Sequence, residues 1–376
     1  MRGRRRRTQE GVFMSNVTVI GAGNGGLSIA AWMALKGCCV NLYDKFEETL
    51  VDVRNAGGAT LKSPSLNGVA CFNVVSSDIE AALAGSEIIM VATPASAHRE
   101  VAAACAHLLS EGQTVVLNPG RTAGAIEFRK VVKEHAPDAK FTVAEAQSLI
   151  FACRKGLHAE TSVYKVKQHM PLAALPAAKT GEVVRLLQPW FPQFVAAENV
   201  LETSLMNIGS VFHPIPAILN IARIDAGENF EHYMQGISPS VANVLERLDL
   251  ERTAIAAAMK VKTMGVKVWI EDVYGAKTSD TINLYEAVQR QEQYRGIPAP
   301  KDPFSRYISE DVPTGLVPLS ELGRIAGVET PLMDAIVILA GSIHKCDYRV
   351  SGRNLRSLGL DGMSVDEMKA YVLNAE

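Results

Sequence analysis

The chain has 376 residues, of which 48% are hydrophobic, 21% charged and 6% aromatic, and its formal net charge is −2. That length buries a large core and points to two domains. The near-neutral balance gives nucleic acid no purchase, and no apolar run reaches membrane-spanning length without a charge or turn signal. Charge is uneven at one end: residues 1–13 hold five arginines and one glutamate, a net +4, which leaves −6 for the remainder. No apolar stretch follows Arg2–Arg7, so the segment reads as a disordered basic tail ahead of Met14 rather than a secretion signal. The six cysteines, at positions 38, 39, 71, 105, 153 and 346, show no CxxC spacing, and the eight histidines form no HExxH cluster. Buried reduced thiols, a cytoplasmic setting and no metal are therefore expected.

The first element in chain order is Val17–Ile20, a β-branched strand running into Gly21-Ala-Gly23-Asn24-Gly25-Gly26 and then a small-residue helix. A glycine cluster in this strand–turn–helix context is a dinucleotide-binding fingerprint. Gly21 permits the tight turn, Gly23 lets backbone approach a pyrophosphate, and Gly26 lets helix and strand pack closely. The helix that leaves the cluster offers free N–H groups and its positive dipole end to phosphate, and Asn24 and Gly25 within the cluster count with the cofactor-binding residues. A second strand, Val40–Tyr43, ends at Asp44, 18 residues beyond Gly26 and placed to accept from a ribose 2′-OH. That carboxylate repels a 2′-phosphate and favours NAD, while Lys45 beside it leaves NADP open.

Strands at Glu87–Ala92, Thr114–Leu117 and Phe141–Ala144 alternate with helices at Ser28–Lys36, Ile79–Ala84, Ser96–Leu109 and Gly124–Lys133, which predicts a doubly wound parallel sheet. Pro64 and Asn67-Gly68 break the rhythm over Ser63–Val75 and suggest a hairpin insertion. Thr93-Pro94 and Asn118-Pro119-Gly120-Arg121 follow strand carboxyl ends, where ligands of such sheets bind. Arg121 reads equally as a ligand or as part of a plain turn. The division expected is a nucleotide domain over 14–195 and a helical domain over 196–376, with helices at Glu198–Val211, Ser240–Leu250, Arg252–Met264, Asn283–Arg290 and Leu332–His344.

Two downstream elements carry candidate chemistry. His213 precedes Pro214 at the end of a helical stretch, and an imidazole can take or give a proton near neutral pH. A structural histidine is the competing reading. Arg306-Tyr-Ile-Ser-Glu310-Asp311 places a guanidinium near two adjacent carboxylates. Such a set could orient an imidazole and clamp a substrate carboxylate, or it could be a solvated loop.

The glycine fingerprint, Asn118-Pro-Gly-Arg-Thr-Ala-Gly-Ala, Ala144-Glu145-Ala-Gln147-Ser-Leu-Ile-Phe-Ala-Cys153-Arg154, Phe212-His213-Pro214 and Arg306–Pro313 together resemble the octopine/nopaline (opine) dehydrogenase family. The resemblance runs from about Asn16 to Ala340. It implies a Rossmann-type domain joined to an all-helical domain like that of 6-phosphogluconate dehydrogenases. It also implies His213 and Asp311 as a catalytic dyad, Arg306 as a substrate-carboxylate ligand, and Glu145, Gln147 and Arg154 on the substrate side. The implied reaction is NAD(P)H-dependent condensation of an amino acid with an α-keto acid, usually pyruvate, through an imine. A keto-acid reductase of the same architecture and a non-catalytic nucleotide sensor are the alternatives. The partners expected are small molecules, with no membrane or nucleic acid. The sequence does not separate exposed from buried helical faces, so it leaves a homodimer open.

Overall fold

The run Val17–Ile20 lies at the centre of a large sheet because it is apolar on both faces, as a strand covered on both sides must be. The computed structural model describes residues 15–274 and 282–375, so the basic tail and Met14 lie outside the described residues. The chain divides into two units. The first runs to Gly120, resumes over Phe128–Val200 and takes in the C-terminal residues from Leu373; the second holds Arg121–Glu127 and Leu201–Val372. Arg121–Glu127, on the nucleotide side of the division read from sequence, thus belongs with the helices.

In the first unit the strands are β1 (Asn16–Ile20), β2 (Cys39–Tyr43), β3 (Ala59–Lys62), β4 (Gly68–Ala70), β5 (Val74–Ser76), β6 (Ile88–Val91), β7 (Thr114–Leu117), β8 (Thr142–Ala146), β9 (Phe151–Lys155), β10 (Glu160–Val166), β11 (Met170–Leu175) and β12 (Phe194–Ala196). An eight-stranded sheet has the order β12-β11-β8-β7-β6-β1-β2-β5. From β5 to β8 all neighbours are parallel, whereas β11 pairs antiparallel with β8 and carries β12 alongside it. The parallel Rossmann arrangement is present, with an antiparallel edge that the sequence reading did not include. The order reverses between β1 and β6, so β1 and β6 flank the switch point where such sheets bind ligands.

The expected hairpin insertion forms as β3 and β4 around the turn Ser63–Asn67. Its partners were not foreseen: β3 pairs with β10 and β10 with β9 to complete a separate four-stranded sheet. One core joins these layers, with Leu27, Trp32 and Met33 of the first helix, Asn24–Leu35, packed among Val40, Leu61, Phe151 and Phe191. Each such side chain contributes about 1.5–3 kcal/mol by leaving water. Cys38, Cys105 and Cys153 are buried free thiols, but Cys71 and Cys346 are exposed, contrary to the expectation of general burial.

In the second unit the helix Pro239–Ala258 packs against Pro214–Leu219, Leu284–Gln289, Val317–Ala326 and Pro331–His344. Ser238 caps it, accepting from Val241 N, and Pro239 sits at its first position, where the missing N–H costs nothing. It is one helix rather than the two expected, because no breaker separates Leu250 from Arg252 and the buried Asp249–Arg252 pair spans the join. Conversely, the expected helix Glu198–Val211 is interrupted between Val200–Leu205 and Gly209–Phe212. No helix among the described residues is long and apolar enough to cross a membrane.

Candidate active site

The nucleotide-binding features of the first unit surround the carboxyl end of β1. Gly21 turns with φ +103°, a conformation few other residues adopt. A Cβ at Gly26 would run into Gly21 O, so helix and strand are as close as the fingerprint requires. A Cβ at Gly23 would meet nothing within 4 Å, so internal packing does not explain that glycine. Open space over the helix start is what a pyrophosphate needs. At the end of β2, Asp44 Oδ2 accepts from Ala22 N at 2.7 Å and Oδ1 from Phe46 N at 3.0 Å. The carboxylate therefore holds the glycine loop in place. It also lines a pocket of about 270 Å3 with Gly21, Gly23, Phe46, Thr93 and Pro94. Lys45 and Glu100 close one side of this pocket as an ion pair at 2.8 Å.

Asn24 plays a part not foreseen: its side-chain oxygen accepts from Lys155 N, which ties β9 to the start of the first helix. Lys155 Nζ in turn donates to Ala22 O and Thr49 O, bringing a cation to the glycine loop. The sequence offered no signal for it, since the small sheet that delivers β9 was not read. Asn118, at the end of β7, is 2% exposed, and neither polar atom of its carboxamide has a hydrogen-bond partner. A buried amide left so is costly unless a ligand completes it. The glycine loop, Asp44 and Asn118 thus fit a nicotinamide dinucleotide.

Glu145 and Gln147, in and just after β8, are buried in this same unit, and Arg154 is exposed on β9 in the small sheet. None belongs to the unit that holds His213.

The second unit gathers the remaining candidates. His213 sits between the helices Gly209–Phe212 and Pro214–Leu219; its N–H still bonds Gly209 O, and Pro214 starts the next helix. Arg306 opens the short helix Arg306–Ser309, and Asp311 leads into a π-helical turn over Val312–Leu316, closed by Leu316 N donating to Asp311 O. Such turns recur at functional positions because they redirect a side chain within a helix. Here Asp311 Oδ2 lies 2.7 Å from His213 Nδ1. Of the two readings of this segment, the solvated loop does not hold at its end: Asp311 is 0% and Glu310 5% exposed, whereas Arg306 is 55% exposed.

Arg121 joins the same cluster. Its Nη1 is 3.1 Å from Asp311 Oδ1 and its Nε 3.3 Å from Glu310 Oε1, while Arg306 Nη1 reaches Glu310 Oε2 at 3.6 Å. Charges therefore alternate through Arg306, Glu310, Arg121, Asp311 and His213. Burial alone would raise the Asp311 pKa, but Arg121 and His213 hold it below the ordinary carboxylate range. Burial lowers the His213 pKa, with Asp311 opposing it and Arg121 and Arg306 adding to the fall. Tyr307 stacks on the His213 ring at 4.5 Å, and His232 lies against Tyr307. The His232 pKa falls to about 3 through burial, and its Nε2–H donates to Phe212 O. No group of three or more potential ligands among the described residues could hold a metal.

Both halves of the chain are similar to known proteins. Residues 16–145 match the N-terminal domain of NAD-dependent glycerol-3-phosphate dehydrogenases, and 196–344 match the NAD/NADP octopine/nopaline dehydrogenase alpha-helical domain. An opine dehydrogenase from Arthrobacter sp. (strain 1C) is 42% identical over 355 residues, covering 94% of this chain and 98% of that one. The chain belongs to the opine dehydrogenase family. It is thus an NAD(P)-dependent oxidoreductase acting on the CH–NH group of donors, and it performs reductive condensation of an amine with a keto acid. Octopine dehydrogenase of Pecten maximus, another opine dehydrogenase, is 24% identical, covering 74% of this chain and 75% of its own length. Among solved structures, an octopine dehydrogenase with NADH and L-arginine has the same fold, with a TM-score of 0.79, 22% identity and coverage of 96% and 99%. A yersinopine dehydrogenase with NADP+ bound has a TM-score of 0.74 at 14% identity, with coverage of 96% and 98%.

Proposed function

We propose that this opine dehydrogenase joins an amino acid to a short α-keto acid of the pyruvate class, with His213 as the proton carrier, Asp311 as its orienting partner and Arg306 as a carboxylate ligand. The observation that carries the reading is the 2.7 Å contact between His213 Nδ1 and the buried Asp311 carboxylate. With Nδ1–H donated to Asp311, the neutral ring presents Nε2 as the acceptor, and the depressed pKa keeps it neutral at physiological pH.

In the forward direction the amine nitrogen attacks the keto carbon. Counted from its ammonium form, it gives up two protons while the former carbonyl oxygen gains two and departs as water, leaving an iminium. His213 accepts each proton from the nitrogen and returns it to that oxygen. Asp311 stabilises the imidazolium formed between those steps, as a buried carboxylate does beside a catalytic histidine. Reduced nicotinamide, when bound, supplies the hydride that reduces the resulting iminium to a secondary amine.

Arg306 is suited to a substrate carboxylate because its guanidinium is more than half exposed and only loosely held by Glu310 at 3.6 Å. A bidentate carboxylate would bind it better than that partner does. On the nucleotide side, Gly21, Gly23, Gly25 and Gly26 would form the phosphate loop, Asp44 would take ribose, and Thr93, Pro94 and Asn118 would line the remainder. Asn24 would act there through its bond to β9. Asp44 favours NAD, and the neutralisation of Lys45 by Glu100 strengthens that preference. Glu145, Gln147 and Arg154 are assigned to the substrate side on family resemblance alone.

The test is NADH oxidation with pyruvate, glyoxylate or 2-oxoglutarate against a panel of amino acids. Oxidation that requires both partners supports the reading of the substrates. Oxidation with keto acid alone would overturn it in favour of a simple reductase.

A further inference from the structure

We infer that Arg121 is a positioning residue for the reaction: it fixes the Asp311 carboxylate so that its second oxygen is aimed at His213. The inference rests on His213 being the proton carrier.

Asp311 faces a different partner with each oxygen: Oδ2 is hydrogen-bonded to His213 Nδ1 at 2.7 Å, and Oδ1, without a hydrogen bond of its own, lies in an ion pair 3.1 Å from Arg121 Nη1. A carboxylate held at one oxygen only can swing about its Cβ–Cγ bond; an ion pair at the other oxygen opposes that swing. Arg121 is itself gripped by Glu310 through Nε, so its guanidinium plane is set by two carboxylates rather than one. Burial would lower the Arg121 pKa, yet Asp311 and Glu310 more than reverse this, so it is a permanent cation.

The backbone that delivers Arg121 is anchored to the helical unit at every step. Thr122 N donates to Thr314 O, Asn207 Nδ2 to Thr122 Oγ1, and Ala123 N to Ser204 Oγ. The fully buried Arg353 donates to Thr122 O and pairs with Glu127. Arg121 itself takes φ +62°, a left-handed conformation unfavourable for a residue with a Cβ. Strain of this kind persists only where the surroundings impose it, and it gathers at functional positions. Position 209, opposite, is a glycine, and any Cβ there would strike the Arg121 guanidinium.

The charged and titratable groups around His213 are Asp311, Arg306 and Tyr307 from the 306–311 segment, His232 from its own loop, Arg121, and Glu310 behind Arg121. Of the two cations, only Arg121 is buried. Its removal acts on His213 in two opposed ways: the imidazolium loses a repulsive neighbour, and Asp311, no longer aimed, supports the imidazolium less; of the two influences on the ring, that of Asp311 is the larger.

The experiment is a titration of the histidine rings by NMR in the cofactor-free protein, with the His213 signal assigned from H213Q, alongside steady-state kinetics. In R121M the loss of the Asp311 contact should outweigh the loss of repulsion and move the His213 titration to lower pH, and kcat should fall on the order of tenfold or more while the keto-acid KM stays within about threefold; a move to higher pH would show that Asp311 keeps its aim without Arg121 and would overturn the inference. In R121K, which keeps a cation without the fork, the titration should stay near wild type and kcat should recover only partly. A His213 titration in R121M identical to wild type, or a loss confined to KM, would overturn the inference. If R121M does not fold, R121K decides: reduced kcat at an unshifted His213 titration supports the role, and unchanged kcat sinks it. Full activity of H213Q, by contrast, would refute the proton-carrier reading while leaving the ring titration as an independent measure of Arg121.

Discussion

Gly209 leaves the space that the Arg121 guanidinium fills; a Cβ at 209 would overlap Nη1 and approach Asp311 Oδ1 at 3.3 Å. The guanidinium cannot simply retreat, since both neighbouring carboxylates hold it. Gly209→Ala should therefore displace Arg121 and lower kcat by about tenfold, with a stability loss of about 1–3 kcal/mol from overpacking. NADH affinity, set in the other unit, should be unaltered. Calorimetric titration beside turnover measurements checks this, and unchanged kcat would contradict it.

His213→Ala should lower turnover about a hundredfold or more, the usual range for a general acid–base group. Asp311→Asn should cost a comparable amount, because an amide can present its N–H to Nδ1 and so reverse the ring's tautomer. Correctly folded variants that turn over at near wild-type rates would remove the dyad from the mechanism.

Cofactor choice turns on Glu100 as well as Asp44. Lys45 is paired with Glu100 at 2.8 Å, so it offers no free charge to a 2′-phosphate. Glu100→Gln should release it and tighten NADPH binding by up to about fivefold, the scale of an exposed ion pair, with NADH affinity unchanged. Equal shifts for the two cofactors would show that Lys45 does not discriminate.

His232 gives the fold an acid-sensitive point. Its pKa is depressed to about 3 by burial, so between that value and the ordinary 6.5 the unfolded chain binds a proton that the folded one does not. Stability from this group is complete above pH 6.5 and declines as pH falls toward 3, by up to about 1.4 kcal/mol per unit. His232→Gln keeps a donor for Phe212 O and should flatten that slope. Urea denaturation at a series of pH values measures it; an unchanged slope would place the sensitivity elsewhere.

Arg252 is fully buried, pairs with Asp249 at 2.6 Å and also donates to Met264 O and Thr263. Arg252→Met should strand the Asp249 carboxylate and destabilise the protein by about 3–5 kcal/mol. Replacing Asp249 by Leu as well should recover much of that loss. Additive losses in the double variant would argue against the pair as the cause.

Much of this was legible in the residues. The fingerprint glycines announce themselves because each answers a separate local requirement: φ at Gly21, open space at Gly23, contact at Gly26. His213 and Asp311 stood out singly, as an imidazole before a proline and a carboxylate in a charged segment, but their pairing as a dyad came through family resemblance, since 98 residues separate them and no spacing rule links two groups joined by tertiary packing. Arg121 and Lys155 were harder still. A lone arginine after Pro-Gly reads equally as a turn, and Lys155 reaches the glycine loop through a small sheet whose short strands carry no strong periodicity. The merged helix Pro239–Ala258 shows the converse error, in which a plausible boundary lacked any residue to enforce it.

Asn118 and Arg121 stand three positions apart in the chain, yet they fall in different units. The helical half is consequently not a contiguous stretch of gene. A fragment beginning at residue 196 would carry Asp311 and Glu310 into a buried setting without their arginine, and Arg353 without Glu127. Exchanging substrate halves between relatives by a single crossover near 196 would pair each helical half with the other parent's 121–127 segment. A chimera built on this chain would need two crossovers more, one on each side of that heptapeptide, to keep its helical unit whole.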